Sequence, residues 1–414
     1  MKRVASESSL RQCGSRGDFP SNSTNYKLIE EVGSGATGAV WKGLVRPFND
    51  EVAVKVMNLD QFDGRDGIDI EEVRREVQIQ RICRHPSLIS IDTCFVDNDL
   101  PRLWIVMKFL SGGSVASIIQ HSKQCARGFD EASVSAIALP VVQALHYLHE
   151  HGHIHRDIKA SNILIDMDGR AYLSDFGVSA FLVDSQGARG KTGAALQCQT
   201  FVGTPAYMAP EVIEESGYDT KADIWSLGIT MLELCHGVAP HAAFPPLKIL
   251  MQVLQGPPPR LNEASDSTRF SADLADVIAW MLQKDPAKRP TCKELLAHPF
   301  FKTAEKEHRK DAIHCPGWLN LQAIVRALPP LGERFRNSRS SALQGVADAL
   351  PQGRESSDEN APPNPVRLAP TTSSSSLRGT AIDEGVEGSE HGHSSGWDFD
   401  VEDLKAEAAL LPDE

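Results

Sequence analysis

Cysteines placed to pair are missing from this sequence. Its eight, at positions 13, 83, 94, 125, 198, 235, 292 and 315, stand singly, with no Cys-x-x-Cys pair and no matching histidine doublet. That suggests neither a disulfide framework nor a zinc module, and a reducing compartment is the simplest reading. Long apolar runs are lacking too. No segment reaches the roughly 18 uncharged apolar residues of a membrane span, and the start MKRVASESSL has neither the apolar core of a signal peptide nor a Met-Gly acylation site. A soluble, cytoplasmic protein without a membrane partner is expected. Basic excess is also absent: the net charge is −13, and no basic stripe with interleaved aromatics occurs, which argues against nucleic acid as a partner. Most of that charge is in the tail, where 14 acidic side chains from Glu355 onward face 3 basic ones.

What is present is an ordinary globular composition, 41% hydrophobic and 23% charged over 414 residues, enough for one two-lobed catalytic unit with added segments. Residues 1–25 are rich in Ser, Asn, Arg and Gly and read as a disordered leader. From 26 to 107 the runs KLIEEV, AVWKGLV, VAVKVMNL and RLWIVM are strand-like, interrupted by one helical stretch, IDIEEVRREVQIQRI. From about 112 to 302 helical spacing takes over in EASVSAIALPVVQALHYLHEHG, SLGITMLELCHG, LKILMQVLQG and ADLADVIAWMLQ. Gly128, Gly152 and Gly237 are expected to punctuate helices, and Pro140 to kink the longest one or sit at its first turn. The expected fold class is α+β: a small antiparallel-sheet lobe with one helix, then a larger, mainly helical lobe. Residues 303–330 form a mixed extension. Residues 331–414 read as a disordered acidic, Ser- and Pro-rich tail with a recognition segment at 396–411.

Gly33-Ser34-Gly35-Ala36-Thr37-Gly38 lies between two strand-like runs and is followed by Val40 in a strand, so its backbone can cover nucleotide phosphates. A Rossmann turn would need a helix next, and WKGLV continues as strand. Lys55, in Val52-Ala53-Val54-Lys55, falls on the following strand, where its amine can neutralise phosphate oxygens. Glu76 in the one small-lobe helix is its expected ion-pair partner, with Glu71 and Glu72 as nearby rivals. In His155-Arg156-Asp157-Ile158-Lys159-Ala160-Ser161-Asn162, Asp157 supplies a carboxylate for a hydroxyl proton and Asn162 an amide oxygen for Mg²⁺. Asp175-Phe176-Gly177 adds the second metal ligand. The ordered set points to phosphoryl transfer from ATP with Mg²⁺. A P-loop NTPase is excluded because no G-x-x-x-x-G-K-[ST] occurs.

By these motifs residues 26–302 resemble a eukaryotic protein kinase domain, small lobe 26–107, hinge 108–111 and large lobe 112–302. Gly203-Thr204-Pro205-Ala206-Tyr207-Met208-Ala209-Pro210-Glu211 is similar to the end of an activation segment. The resemblance implies that Arg289 pairs with Glu211, that Asp223 holds the catalytic-loop backbone, and that Val40, Ala53 and Leu164 sandwich adenine below a gatekeeper, Met107. Lys159 with Thr204 implies serine/threonine specificity, Lys159 facing the transferred phosphoryl group. The wording HPSLISI, DFGVSA, TFVGTPAYMAPEV and GYDTKADIWSLGIT resembles germinal-centre kinases of the sterile-kinase group, nearest the SPAK and Fray type. That branch implies a signalling role, stress or osmotic, with protein substrates. A pseudokinase that keeps the fold and activates a partner is the alternative.

Three departures stand out. Gln80 occupies a place where the family sets an apolar residue of the spine behind Phe176. Tyr207 replaces the usual tryptophan. The segment from Asp175 to Glu211 runs to 37 residues with a polar insertion. Thr200 sits where this subfamily takes an activating phosphate, from an upstream kinase or in trans from a second copy, and Arg156 can pair with the added charge. Thr204 is expected to face the catalytic loop. In the tail, Trp397-Asp398-Phe399 resembles a motif by which relatives dock a helical-repeat scaffold.

Overall fold

The computed structural model describes residues 19–35, 38–59, 77, 80–97, 102–175, 205–214, 217, 219–261, 269–310 and 315–349. All of these up to Asn337 belong to one unit; the second, Ser338–Asp398, is described only as far as Ala349 and is helical there.

The small lobe is a five-stranded antiparallel sheet of order β1-β2-β3-β5-β4, built from β1 (Tyr26–Gly35), β2 (Gly38–Val45), β3 (Asp50–Asn58), β4 (Ile91–Val96) and β5 (Arg102–Lys108). Alternation along β3 decides what each face carries. Val52 and Val54 turn to a face packed by Tyr26, Val45, Phe95, Trp104 and Val106. There Phe95 stacks on Tyr26 and on Trp104, each at 5.8 Å between ring centroids, contacts that add about 0.5–1.5 kcal/mol per pair beyond burial. Ala53 and Lys55 turn the other way. Their cross-strand partners Met107 and Val40, and Gly33 opposite Val40, therefore share that face. Of the helical stretch only Val77 and residues 80–82 are described, and they are helical as expected.

The large lobe carries a small antiparallel sheet, β6 (Gly113–Ser114), β7 (Ile163–Ile165) and β8 (Ala171–Leu173). Around it lie α1 (Val115–His121), α2 (Glu131–Glu150), the short α3 (Pro210–Ile213), α4 (Lys221–His236), α5 (Pro246–Gln255), α6 (Ala272–Met281), α7 (Cys292–Ala297) and α8 (Pro299–Lys310). The apolar spacing read from the sequence becomes burial: α2 is apolar almost all round, and Leu145 and Leu148 meet Trp225, Ile229 and Phe301 in one core. Pro140 lies in the middle of α2, past its first turn. The ends are capped by side chains, Asp130 accepting from the Ser133 amide at 2.8 Å and Thr291 with Glu294 closing a capping box, while Gly237 ends α4 with φ 79°. Among the described residues no helix is long and apolar enough to cross a membrane.

The extension departs from the sequence reading. Helix α8 crosses the boundary drawn at 302 because Phe300, Phe301 and Ala304 are buried on one side of it. Beyond it lie α9 (Pro316–Ala327) and α10 (Leu331–Ala349). The expectation that disorder begins at 331 is corrected for residues 331–349. Alpha-helix α10 has little apolar spacing of its own; its first turn is held instead by buried Arg334 and by Leu331 against Gly113. Helix α9 is fixed to the large lobe by Asn320 donating to Asp130 at 2.8 Å and by Trp318, whose ring lies tilted against His308 with centroids 4.6 Å apart.

Candidate active site

The glycine-rich turn is the hairpin end of β1 and β2, with Gly35 opposite Gly38. Gly38 has φ 146°, and a Cβ there would lie 2.3 Å from the Val56 carbonyl oxygen, so only glycine lets the hairpin lie this close to β3. Gly33, Ser34, Gly35 and Gly38 are thus at the mouth of the face that carries Val40, Ala53, Lys55 and Met107. Leu164, on β7, is paired with Tyr172 and with Ser114.

Lys55, only 8% exposed, reaches Asp175 Oδ1 at 2.5 Å. Burial would raise the Asp175 carboxyl, but the charge and hydrogen bond of Lys55, with Lys159 behind it, outweigh that and hold it below the usual carboxylate range. The expected partner Glu76, with Glu71 and Glu72, lies outside the described residues, as do Phe176, Gly177, Thr200, Thr204, Trp397 and Phe399.

Asp157 is oriented from three sides. Its Oδ2 and its backbone carbonyl both accept from Asn162 Nδ2 at 2.8 Å, and its Oδ1 meets Lys159 Nζ at 2.8 Å. Its own amide donates to His155 Nδ1 at 3.3 Å. His155 then donates from Nε2 to the Ser174 carbonyl at 3.0 Å, next to Asp175. Completely buried, His155 is pushed below the ordinary imidazole range and is neutral, which matches one acceptor and one donor nitrogen. The Ser174 amide donates to the Asn162 carbonyl at 2.9 Å, so β7 and β8 hold the two metal-type ligands side by side. Leu173 is in turn tied to Ser87 and Ile89, just beyond the small-lobe helix.

Two non-glycine residues here are left-handed, Arg156 at φ 70° and Asp175 at φ 59°, a conformation costing of order 1–3 kcal/mol each. Asp223 offsets the first: its carboxylate accepts from the His155 and Arg156 amides, both at 2.8 Å. Burial raises Asp223, yet the His149 hydrogen bond and the His155 amide prevail and keep it ionised. His149 donates from Nε2 at 2.8 Å and turns Nδ1 to the Cys292 thiol at 3.5 Å. Sequence reasoning missed His149; a histidine on a buried helix face reads as core, and only its spacing of six from His155 hints otherwise.

Beyond the catalytic loop, Glu211 and Arg289 form the expected pair, at 2.6 and 2.8 Å and almost wholly buried. Tyr207 is more than an aromatic exchange. Its hydroxyl donates to Glu233 at 2.7 Å, a bond no tryptophan ring would place there, and burial lifts both groups above their usual ranges. Glu233 as its partner was not foreseen. A cavity of about 440 Å³ lies beside them, lined by Ile119, Ala206, Tyr207, Val238 and Ile249 among others. Gln80 is 7% exposed, a buried amide where an apolar side chain was expected.

Among the described residues no cluster of three or more His, Cys, Asp or Glu forms an all-protein metal cage. The donors still fit Mg²⁺. Asn162 spends its amide nitrogen on Asp157, leaving its oxygen as a ligand beside the ionised Asp175 carboxylate, a hard-oxygen set of the kind that shares this ion with phosphates.

A family model for the protein kinase domain matches residues 26–301. Serine/threonine-protein kinase fray2 of Dictyostelium discoideum is 42% identical over 321 residues, 78% of this chain and 29% of that protein. Germinal center kinase 3 of Caenorhabditis elegans is 41% identical over 296 residues, 69% of this chain and 48% of that protein. Serine/threonine-protein kinase sid1 of Schizosaccharomyces pombe is 38% identical over 288 residues, 69% of this chain and 56% of that protein. The chain spans between about a third and just over half the length of the curated relatives it matches. These names agree with the Fray and germinal-centre branch expected from the motif wording.

Proposed function

This chain belongs to the protein kinase family, and we propose that it transfers the γ-phosphate of ATP to serine or threonine hydroxyls of proteins. One observation carries the reading: Asp157, held by Asn162 and Lys159, and Asp175, held by Lys55, are brought to one cleft as two carboxylates with separate partners. Asp157 accepts the substrate hydroxyl proton as the hydroxyl oxygen bonds to the γ-phosphorus and the bond to the ADP oxygen breaks. Lys159 balances charge on the phosphoryl group in flight. Lys55 binds the α- and β-phosphates, and the backbone of Gly33–Gly38 covers them. Adenine lies between Val40 and Ala53 above and Leu164 below, with Met107 at the rear and residues 108–110 as the hinge. Asn162 and Asp175 hold Mg²⁺, which when bound neutralises phosphate charge.

Activation in this reading goes through phosphorylation of Thr200, by an upstream kinase or in trans, with Arg156 pairing the new charge. Trp397 and Phe399 dock a helical-repeat scaffold. The setting is signalling, of the stress or osmotic kind. The test is an assay with radiolabelled ATP on a generic protein panel, wild type beside Asp157→Asn. Label on serine and threonine from the wild type alone is expected. Label on tyrosine, or equal label from both proteins, would overturn the reading; an inert wild type that stimulates a partner kinase would favour the pseudokinase.

A further inference from the structure

Behind the hinge the chain is gripped by a residue for which phosphoryl transfer has no use. Arg334, on the first turn of α10, is 1% exposed. Its guanidinium donates to the Gly112 carbonyl at 2.9 Å, the Ser111 carbonyl at 3.4 Å, Ser117 Oγ at 3.2 Å and the Pro329 carbonyl at 3.1 Å. Three of these acceptors lie between 111 and 117, the stretch that leaves the hinge and enters α1. A buried guanidinium needs its donors filled, and backbone carbonyls aimed from a turn fill a planar fork well.

The double glycine at 112–113 is the seat for this contact. Gly113 has φ 76°, and a Cβ there would lie 2.6 Å from Leu331 Cδ1 and 3.3 Å from Arg334 Nη2. Two residues past Arg334, Arg336 meets Glu30 at 3.3 Å. Glu30 is on β1, three residues before Gly33. One helical turn thus touches both the exit of the hinge and the strand that leads into the glycine-rich hairpin.

We propose that Arg334 is a positioning residue for the nucleotide: by holding the carbonyls of Ser111 and Gly112 it fixes the path of residues 108–110, and through Arg336 the same turn steadies β1. The inference rests on the kinase reading given above. A hinge that samples other paths binds adenine only in the fraction of molecules with the right one, and apparent affinity falls by that fraction. Removing Arg334 therefore weakens nucleotide binding by about tenfold, the equivalent of about 1.4 kcal/mol. The loss falls on binding, so KM for ATP rises while kcat and the KM for protein substrate change little.

The full chain is titrated with a fluorescent ATP analogue and Mg²⁺, and steady-state constants are measured for wild type and Arg334→Ala. A Kd and a KM for ATP raised about tenfold with kcat within about twofold is the expected result. Unchanged nucleotide affinity in a folded Arg334→Ala protein, or equal losses in kcat and in both KM values, overturns it. Where Arg334→Ala shows no cooperative melt, the exposed pair decides. Arg336→Glu and Glu30→Arg should each weaken nucleotide binding about threefold and together restore it; singles with wild-type affinity overturn the proposal. A wild type that binds the analogue in an Arg334-dependent way but never transfers phosphate removes the kinase reading and supports the clamp.

Discussion

Replacing Arg289 by methionine tests how the end of the activation segment is anchored. A guanidinium has five N–H donors, and Arg289 uses all of them: two on the Glu211 carboxylate at 2.6 and 2.8 Å, and one each on the carbonyls of Gln283 at 2.7 Å, Lys221 at 2.9 Å and Lys284 at 3.1 Å. Its plane also lies 5.1 Å from the Trp225 ring centre. Methionine fills much of the volume but leaves the Glu211 carboxylate buried without its cation and three carbonyls without a donor. Breaking such a pair from one side costs about 3–5 kcal/mol, so the melting midpoint should fall by roughly 10 °C. Equilibrium urea unfolding with calorimetry reads both. Adding Glu211→Leu to Arg289→Met removes the stranded charge and should restore about 2 kcal/mol, though not activity, since Glu211 opens α3 at the end of the segment. A loss below about 1 kcal/mol for Arg289→Met, the worth of an exposed pair, would refute the anchoring.

The remaining tests reach other parts of the molecule. Tyr207→Phe deletes the donor to Glu233 and should cost about 1–2 kcal/mol. Burial holds the Glu233 carboxyl above its usual range and Tyr207 pulls it down, so the variant's pKa rises further. A raised carboxyl contributes stability at low pH that is lost as pH climbs through the folded value, so the variant's deficit should grow from about pH 4 to neutrality; a flat deficit in melts across that span would count against the bond. Thr200→Ala should lower phosphotransfer by an order of magnitude or more, and a purified variant with full activity would dispose of Thr200 as the switch. Trp397→Ala should abolish capture of a helical-repeat scaffold in a pull-down; undiminished capture would remove that docking site.

Much of the site was legible because its chemistry is local in sequence. Asp157 and Asn162 are five residues apart in one loop, and the Gly33–Gly38 hairpin with Lys55 follows from strand spacing alone. The face shared by Val40, Ala53, Lys55 and Met107 follows from alternation once the strands pair. The roles of Asp223 and Arg289 came only through family likeness, since their partners His155 and Glu211 lie 68 and 78 residues away. Helix α10 was not legible at all. Its sequence is rich in Arg and Ser, and what orders its first turn is a guanidinium reaching carbonyls more than 220 residues earlier. Composition alone reports too few apolar residues there and misreads the stretch as tail.

The most direct measurement is the rate of phosphate transfer from ATP by the full chain and its Asp157→Asn variant, with nucleotide affinity followed in both. The wild type should phosphorylate serine and threonine, and the variant should lose about 10²–10⁴-fold in kcat, the worth of a positioned general base, while binding nucleotide within about twofold of wild type, because Asp157 faces Asn162 and Lys159 and not the phosphate-binding Lys55. Equal transfer by the two proteins, or nucleotide binding lost together with transfer, would contradict the role assigned to Asp157.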